Sequence, residues 1–291
     1  MAMSESDVKA WADEFLDAMS APVDWTRLQN LMSKRCTVEM PNEPKCKKFE
    51  DFQKKNAEFL NWFKGSKRAV PKGAGIIVVP AKKDEVDVIV PEQCKFTWTK
   101  DLGERYPNVN MASGDKAKVI IYNRLKLNAK KECTWFSPLF FHGDFKNQDR
   151  AEDDDTAVHK MYQALDGGTA DELMGEEIKA EMPVAGKMNK EQLLQVFANF
   201  KECKRTVVPG LAPVSLPTGK DEIHEAIMPC AYQFKWAASL NELFKVEIAD
   251  GSEVELRSYD QLTIKSGKLI GFQGFFDPAT CIKPVKKSGA A

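Results

Sequence analysis

The sequence predicts an α+β protein made of two tandem cone-shaped units, each with about three helices packed on a curved antiparallel sheet. Two observations support this prediction. Short phrases recur in the same order along the chain, and in each half the hydrophobic period changes from helical to strand-like. The 291 residues suffice for two domains of ordinary size. We expect the two units to form a pseudo-dimer within the chain.

The internal repeat consists of five pairs of phrases. TVEMPNEPK at 37–45 is echoed by KAEMPVAGK at 179–187, 142 positions later. The other pairs are KRAV with KRTV, KDEV with KDEI, FTW with FKW, and VIIYNRLKLN with ELRSYDQLTIK. Their spacing drifts only from 142 to 137, which chance explains poorly. The repeat predicts a first unit at residues 1–148 and a second at 149–291.

Three helices are predicted ahead of the strands of the first unit. SDVKAWADEFLDAM places Val8, Trp11 and Phe15 on one stripe, behind serines that can cap the helix. DWTRLQNLM begins at the capping residue Asp24. KKFEDFQKKNAEFLNWF carries aromatic residues at helical spacing as far as Phe63. We therefore expect the third helix to include Phe63.

After the helices the hydrophobic period becomes two, which is typical of strands. In EVDVIVPEQCKFTW the apolar face consists of Val86, Val88, Val90, Cys94, Phe96 and Trp98. The corresponding face of the second unit consists of His224, Ala226, Met228, Cys230, Tyr232, Phe234 and Trp236. Further strands are predicted in AKVIIYNRLKLN, ECTWFSPLFF, SEVELRSYDQLTIK and KLIGFQGFF, and Gly267 suits a hairpin turn.

Composition excludes several classes of protein. The 42 basic and 43 acidic residues leave a formal net charge of −1, so we expect no nucleic-acid partner. No apolar run approaches the roughly 20 residues that span a membrane, and the acidic N-terminus predicts a cytoplasmic protein. The seven cysteines lack CxxC spacing and the three histidines lack HxH or HExxH spacing, so no metal site is expected.

Two helices ending in TVEMPNEP, a third helix, and strands closing with SYDQLTIKSGKLIGFQGFFD resemble the nuclear transport factor 2-like superfamily. The pattern is nearest to ketosteroid isomerases and SnoaL-like polyketide cyclases. The resemblance covers nearly the whole chain, once per unit. It implies a cone lined by side chains, which is a natural site for a small apolar molecule. The superfamily contains both enzymes and non-catalytic binding modules, so the resemblance implies no single activity.

The resemblance to the isomerases also places their general base. The aspartate that acts as base follows the second helix in a segment like TVE-D-P. The corresponding residues here are Met40 and Met182, and neither side chain can take a proton. The proton shuttle of the isomerases is therefore missing from both units.

The hydrogen-bond donors of the isomerases are implied only in the second unit. The oxyanion tyrosine corresponds to Phe15 in the first unit and Tyr162 in the second. The oxyanion acid corresponds to Asn123 and Asp260. The first unit is therefore predicted to be structural, and the second to contain the pocket.

Tyr162 and Asp260 would donate hydrogen bonds to an oxygen that gains charge, if the acid stays protonated in an apolar cavity. Asp260 shares the parity of Leu262 and Ile264, which places it on the inward face. His224, on the inward face of its strand, is the candidate base. These three are the predicted catalytic residues. The predicted ligand-binding residues are Tyr232, Met182, Trp236, Phe234 and Met228.

Each candidate also has a structural interpretation. Tyr162 would be a core aromatic. Asp260 would form a salt bridge with a lysine or arginine such as Arg257, or would lie at an exposed strand end. His224 would be a hydrogen-bonded strand residue or a partly exposed one. The aromatic Trp98 and Trp236 would be the packing centres of the two units.

The predicted function is binding of a small, largely apolar, oxygen-bearing molecule in the second unit. Turnover, if present, would be an isomerisation, cyclisation or dehydration without a metal or redox cofactor. An alternative is a non-catalytic interaction module of the same fold, capable of further self-association, which the missing base favours. A minor alternative is a metal-free hydratase of the iota carbonic anhydrase type, although its histidine- and serine-rich strand motif has no counterpart here.

Overall fold

The computed structural model forms two compact units, comprising residues 1–152 with 209–216 and residues 153–208 with 217–291. The predicted boundary between 148 and 149 lies outside the described residues and stays a prediction, as does the pseudo-dimer. The structure describes residues 3–40, 44–61, 63–81, 84–99, 112–140, 170–208, 211, 213–217 and 223–284.

The first unit contains three helices and a mixed sheet. Its strands lie in the order β1-β6-β5-β4-β2, with β3 also paired to β4. β1 runs parallel to β6 and the other pairs are antiparallel. The elements are α1 (Glu5–Ala18), α2 (Trp25–Leu31), β1 (Met32–Val38), α3 (Phe49–Asn61), β2 (Phe63–Ala69), β3 (Ile77–Pro80), β4 (Val86–Trp98), β5 (Lys116–Leu127) and β6 (Cys133–Leu139).

The predicted helix starts are confirmed. The Ser4 hydroxyl accepts a hydrogen bond from the Asp7 backbone N–H at 3.2 Å, and the Asp7 carboxyl accepts one in return from the Ser4 N–H. The Asp24 carboxyl accepts a hydrogen bond from the Arg27 N–H at 3.0 Å at the start of α2. The apolar stripe of α1, which includes Phe15, is buried in the core against the sheet.

Two local expectations for the first unit are wrong. α3 ends at Asn61, and Phe63 is the first residue of β2, where its ring lies 4.5 Å from that of Phe96. The residues before Glu39 form strand β1, which the sequence does not predict. This strand is short and its partner β6 lies about a hundred positions later, so the nearby residues give little indication of a strand.

The second unit repeats this strand order as β7-β13-β12-β11-β9, and β7 again runs parallel to its neighbour. β8 pairs with β7, and β14 pairs with β12. The elements from residue 170 onward are α4 (Ala170–Leu173), β7 (Met174–Met182), β8 (Gly186–Met188), α5 (Lys190–Ala198), β9 (Lys201–Val207), β10 (Val214–Pro217, of which 214–216 are grouped with the first unit), β11 (Ile223–Lys235), α6 (Ser239–Phe244), β12 (Glu253–Lys265), β13 (Lys268–Phe275), α7 (Pro278–Cys281) and β14 (Ile282–Pro284).

The α+β class is confirmed, and so are the predicted strand faces. The inward residues of β4 are buried, and those of β11 are buried from Ala226 to Trp236. The β12–β13 hairpin turns at Ser266 and Gly267, with φ of 47° and 75°. Two consecutive positive φ values are characteristic of a type I′ turn, which explains the glycine. Each unit therefore has its own apolar core on one face of its sheet.

Candidate functional site

Asp260 lies in the middle of β12 with its side chain in the apolar core of the second unit, 1% exposed. The antiparallel register places Met228 of β11 directly opposite it. The Tyr232 hydroxyl donates a hydrogen bond to one carboxyl oxygen of Asp260, and the Ser258 hydroxyl donates to the other at 2.5 Å. Three polar side chains thus form one buried cluster, which we call the Asp260 cluster (Tyr232, Ser258 and Asp260).

The register of the strands explains why this cluster forms. Ser258 and Asp260 are two residues apart on β12, so both point to the same face. Tyr232 lies on the neighbouring strand opposite Leu256, also with its side chain in the apolar core, and its hydroxyl meets the Asp260 carboxyl there. The predicted inward orientation of Asp260 is therefore observed.

The Tyr232 hydroxyl is a persistent hydrogen-bond donor. Burial raises the pKa of the Tyr232 phenol well above its usual range, and the negative charge of Asp260 raises it further. The Arg205 guanidinium, 5.3 Å from the centre of the Tyr232 ring, acts in the opposite direction on this pKa. The phenol consequently keeps its proton at neutral pH, and the Asp260 carboxyl accepts hydrogen bonds on both oxygens.

The predicted ligand-binding residues belong to the same buried apolar core as this cluster, of which Tyr232 is a member. The Phe234 ring stacks on Phe200 with centroids 4.2 Å apart, and its other neighbour is Trp236 at 5.9 Å. The Trp236 indole N–H donates to the Asn241 side chain at 2.8 Å, so its polar atom is satisfied within the protein. Met182 and Met228 are buried in the same core.

The structure does not bring His224 to the Asp260 cluster. His224 lies opposite Ile264 and is half-buried. It is four residues from Met228 along β11, which corresponds to about 13 Å of strand. Tyr162 lies outside the described residues. Arg257, offered as a structural partner of Asp260, is exposed and its Nε donates to Glu255 at 2.8 Å.

A second buried polar group, in the first unit, is absent from the sequence-based predictions. Arg68 of β2 and Glu92 of β4 form an ion pair at 2.5 Å, with side chains 5% and 1% exposed. The Asn123 amide on β5 donates to the other Glu92 oxygen at 2.7 Å. We call these residues the Arg68 cluster. The available signal was a glutamate at an inward position of the alternating strand, between Val90 and Cys94.

Charges within the Arg68 cluster stabilise each other. Burial lowers the pKa of the Arg68 guanidinium, but the facing Cys94 and Glu92 side chains raise it by more. Burial raises the pKa of the Cys94 thiol to about 11, an effect that Arg68 opposes and Glu92 reinforces. At neutral pH Arg68 is therefore charged, and the Cys94 thiol beside the cluster keeps its proton.

The raised thiol pKa leads to a labelling prediction. At pH 8 we expect Cys94 to react with iodoacetamide at least about tenfold more slowly than the half-buried Cys281, because the thiolate is the reactive species. Peptide mass spectrometry on the native chain measures both rates. Unfolding in guanidinium chloride should equalise them, and equal rates in the native chain would contradict the prediction.

Within the described ranges, no group of three or more histidine, cysteine, aspartate or glutamate side chains is arranged to hold a metal ion. None of the described helices combines the length and apolar character that crossing a membrane requires.

No protein-family model and no curated protein sequence matches the chain. Solved structures do match it over about half its length. A candidate SnoaL-like polyketide cyclase from Jannaschia sp. CCS1 is 14% identical, covers 48% of this chain and 90% of its own, and has a TM-score of 0.37. A nuclear transport factor 2-like protein of unknown function from Exiguobacterium sp. 255-15 is 14% identical, covers 45% and 98%, and has a TM-score of 0.32.

A third structure is a hypothetical protein with a ketosteroid isomerase-like fold from Catenulispora acidiphila, in complex with trimethylamine. It is 11% identical, covers 44% of this chain and 82% of its own, and has a TM-score of 0.31. The names of these three structures are those of the families that the residues resemble. At such identities and TM-scores the likeness assigns no activity to this chain.

Proposed function

We propose that the second unit binds a small, largely apolar, oxygen-bearing molecule, with the Asp260 cluster as its polar contact. The observation that supports this is a carboxyl group held in the centre of an apolar core. Burying a carboxyl group costs free energy that apolar packing would avoid, so a role for it in ligand binding accounts for its presence.

The hydrogen bonds of the cluster indicate which ligand groups suit it. The Tyr232 and Ser258 hydroxyls both donate hydrogen bonds to Asp260, so the groups left for a ligand in this form are acceptor oxygens. A ligand hydroxyl would donate to it. With one additional proton the Asp260 carboxyl would instead donate to a ligand carbonyl, as polarisation of a substrate requires.

A more specific possibility is that the second unit also converts its ligand by isomerisation, cyclisation or dehydration. It needs a proton acceptor near the ligand, and the half-buried His224 lies opposite Ile264, eight residues along β11 from Tyr232 of the cluster. Met182, which corresponds to the base of the isomerases, is buried and cannot accept a proton. These two observations favour the alternative of binding without turnover.

Replacing Asp260 with asparagine is expected to reduce ligand retention about tenfold or more, because a hydrogen bond to a charged group is lost. Small molecules that co-purify with the chain would be identified and quantified by mass spectrometry. Tyr232→Phe should give a smaller loss, since it removes only one hydroxyl of the cluster.

Glu253→Gln is the matched control, because Glu253 is an exposed acid on the same strand. It should retain the ligand as the unmodified chain does. An unmodified chain that carries no oxygen-bearing molecule, or an Asp260→Asn variant that retains it in full, would refute the proposal.

A further inference from the structure

The outward face of the first unit's sheet carries five lysines at one end of its strands. Lys67 of β2, Lys95 of β4 and Lys118 of β5 are direct partners across the three neighbouring strands. Lys64 and Lys116 form a second row, on either side of β4. Strand geometry places each row within about 10 Å, and the two rows about 7 Å apart. We call these five residues the lysine patch.

The lysine patch has no counter-charges of its own. Four of its lysines are exposed and Lys118 is half-buried. Across the part of the chain that the structure describes, no ion pair involves any of the five. Asp115, beside Lys116 in the chain, accepts a hydrogen bond from the Ala112 backbone N–H at 2.9 Å. Like charges directly opposite each other in neighbouring strands destabilise a sheet, so folding alone does not account for the patch.

The second unit has both signs of charge at the corresponding positions. Its two rows on β9, β11 and β12 are Lys204, Gln233 and Glu255, and Lys201, Lys235 and Glu253. Gln233 Nε2 donates a hydrogen bond to Glu255 at 3.2 Å, and Lys235 forms an ion pair with Glu202 at 2.7 Å. The excess of positive charge is therefore specific to the first unit and is not required by the strand order that the two units share.

Protection of a sheet edge explains only part of the lysine patch. β2 is the last strand in the order β1-β6-β5-β4-β2, and lysines on an edge strand discourage pairing with another chain. Lys64 and Lys67 fit that role. Lys95 and Lys118 lie on the inner strands β4 and β5, where there is no edge to protect. A partner with many negative charges accounts for all five lysines.

The surroundings of the patch indicate the kind of anionic partner. Lysine offers a flexible point charge, whereas recognition of one particular phosphate or carboxylate favours the planar donor pair of arginine. The strands under the patch pair with each other, so their backbone offers a bound peptide few hydrogen bonds. Among the described residues, Val184 of the second unit is the only exposed large apolar side chain, so the patch has no ring for base stacking. These features suit a flat layer of mobile anionic groups.

We propose that the lysine patch docks the protein on an anionic phospholipid surface through charge alone. The five ammonium groups project from one flat sheet face, so each can approach a separate head group. A lysine near an anionic bilayer raises the affinity about fivefold, which gives on the order of 10³-fold for five. Apart from the patch, a formal net charge of −1 leaves −6 on the rest of the chain, and this separation of charge turns the patch towards the bilayer. The proposal does not depend on a ligand at the Asp260 cluster.

Co-sedimentation of the full chain with phospholipid vesicles tests the proposal. One set of vesicles contains equal amounts of phosphatidylcholine and phosphatidylserine, and the other contains phosphatidylcholine alone. We expect saturable binding to the anionic vesicles only, and we expect it to weaken steeply as salt is raised, because exposed charges are screened beyond about 10 Å at 0.1 M salt. Equal binding to both sets, or binding that salt leaves unchanged, would overturn the proposal.

Two charge-matched variants locate the binding surface. Lys95→Gln with Lys118→Glu introduces the residues that the second unit has at these positions, and should weaken binding to the anionic vesicles about twentyfold or more. Lys201→Glu with Lys204→Gln makes the same change in net charge at two exposed lysines of the second unit. It should stay within about twofold of the unmodified chain, because charges away from the bilayer are screened.

The same variants also give the outcomes that would contradict the proposal. An equal loss of binding in both would show that net charge, and not the patch, controls the attraction. An RNA oligonucleotide or polyglutamate that binds the unmodified chain more tightly than the vesicles do would assign the patch to another kind of polyanion. Either result would overturn docking on a phospholipid surface.

Discussion

Replacing Glu92 with leucine is expected to lower the free energy of unfolding of the first unit by about 3–5 kcal/mol, the range for removing one partner of a buried ion pair. The variant leaves the Arg68 guanidinium in the core without its counter-charge, and it also removes the acceptor of the Asn123 amide. Guanidinium chloride titration followed by tryptophan fluorescence measures the loss. Five of the six tryptophans precede residue 150 and report on this unit.

Two further variants separate the charge from packing. The double variant Arg68→Met with Glu92→Leu should recover most of the loss, since a buried ion pair is often replaceable by apolar side chains. Asp17→Asn, which disrupts the exposed ion pair of Asp17 with Arg27, should cost less than about 1 kcal/mol. A Glu92→Leu variant that loses no more than Asp17→Asn would contradict the prediction.

Replacing Trp236 with alanine is expected to destabilise the second unit by about 3–5 kcal/mol, the range for truncating a buried tryptophan. Trp236 is 0% exposed and packs against Phe234 and Phe244. Truncation would leave a cavity among these rings and would leave the Asn241 amide oxygen without the indole donor. Because Trp236 is itself the tryptophan reporter of this unit, hydrogen exchange of β11 and β12 measured by mass spectrometry is the appropriate method.

Trp236→Phe should lose distinctly less stability, since it keeps an aromatic ring in place. This pair of variants also distinguishes the two interpretations of Trp236. A packing centre requires a large loss in the alanine variant even when no ligand is present. Unchanged exchange rates in that variant would instead indicate a side chain that is not needed to close the core.

The faces of the strands could be predicted from the residues alone. In a strand every second side chain lies on the same face, and the face with apolar side chains is the inward one. This is why the inward orientation of Asp260 could be predicted. The helix cap at Ser4 and the turn at Gly267 could be predicted from the local preferences of these residues. These features depend on residues within a few positions of each other, where steric and hydrogen-bonding preferences act directly.

The partners of those inward side chains were decided by the tertiary structure. Alternation identifies a face but does not say which side chains of that face meet. Tyr232 and His224 are each four residues from Met228, the partner of Asp260, and only the tertiary structure shows that Tyr232 is the one that bonds Asp260. For the same reason the ion pair of Arg68 with Glu92 could not be predicted, because it depends on how β2 pairs with β4. The sequence by itself therefore determined the α+β class and which side chains of β4, β11 and β12 face inward. Only the tertiary structure decided which of them meet, because strand register depends on packing between distant segments.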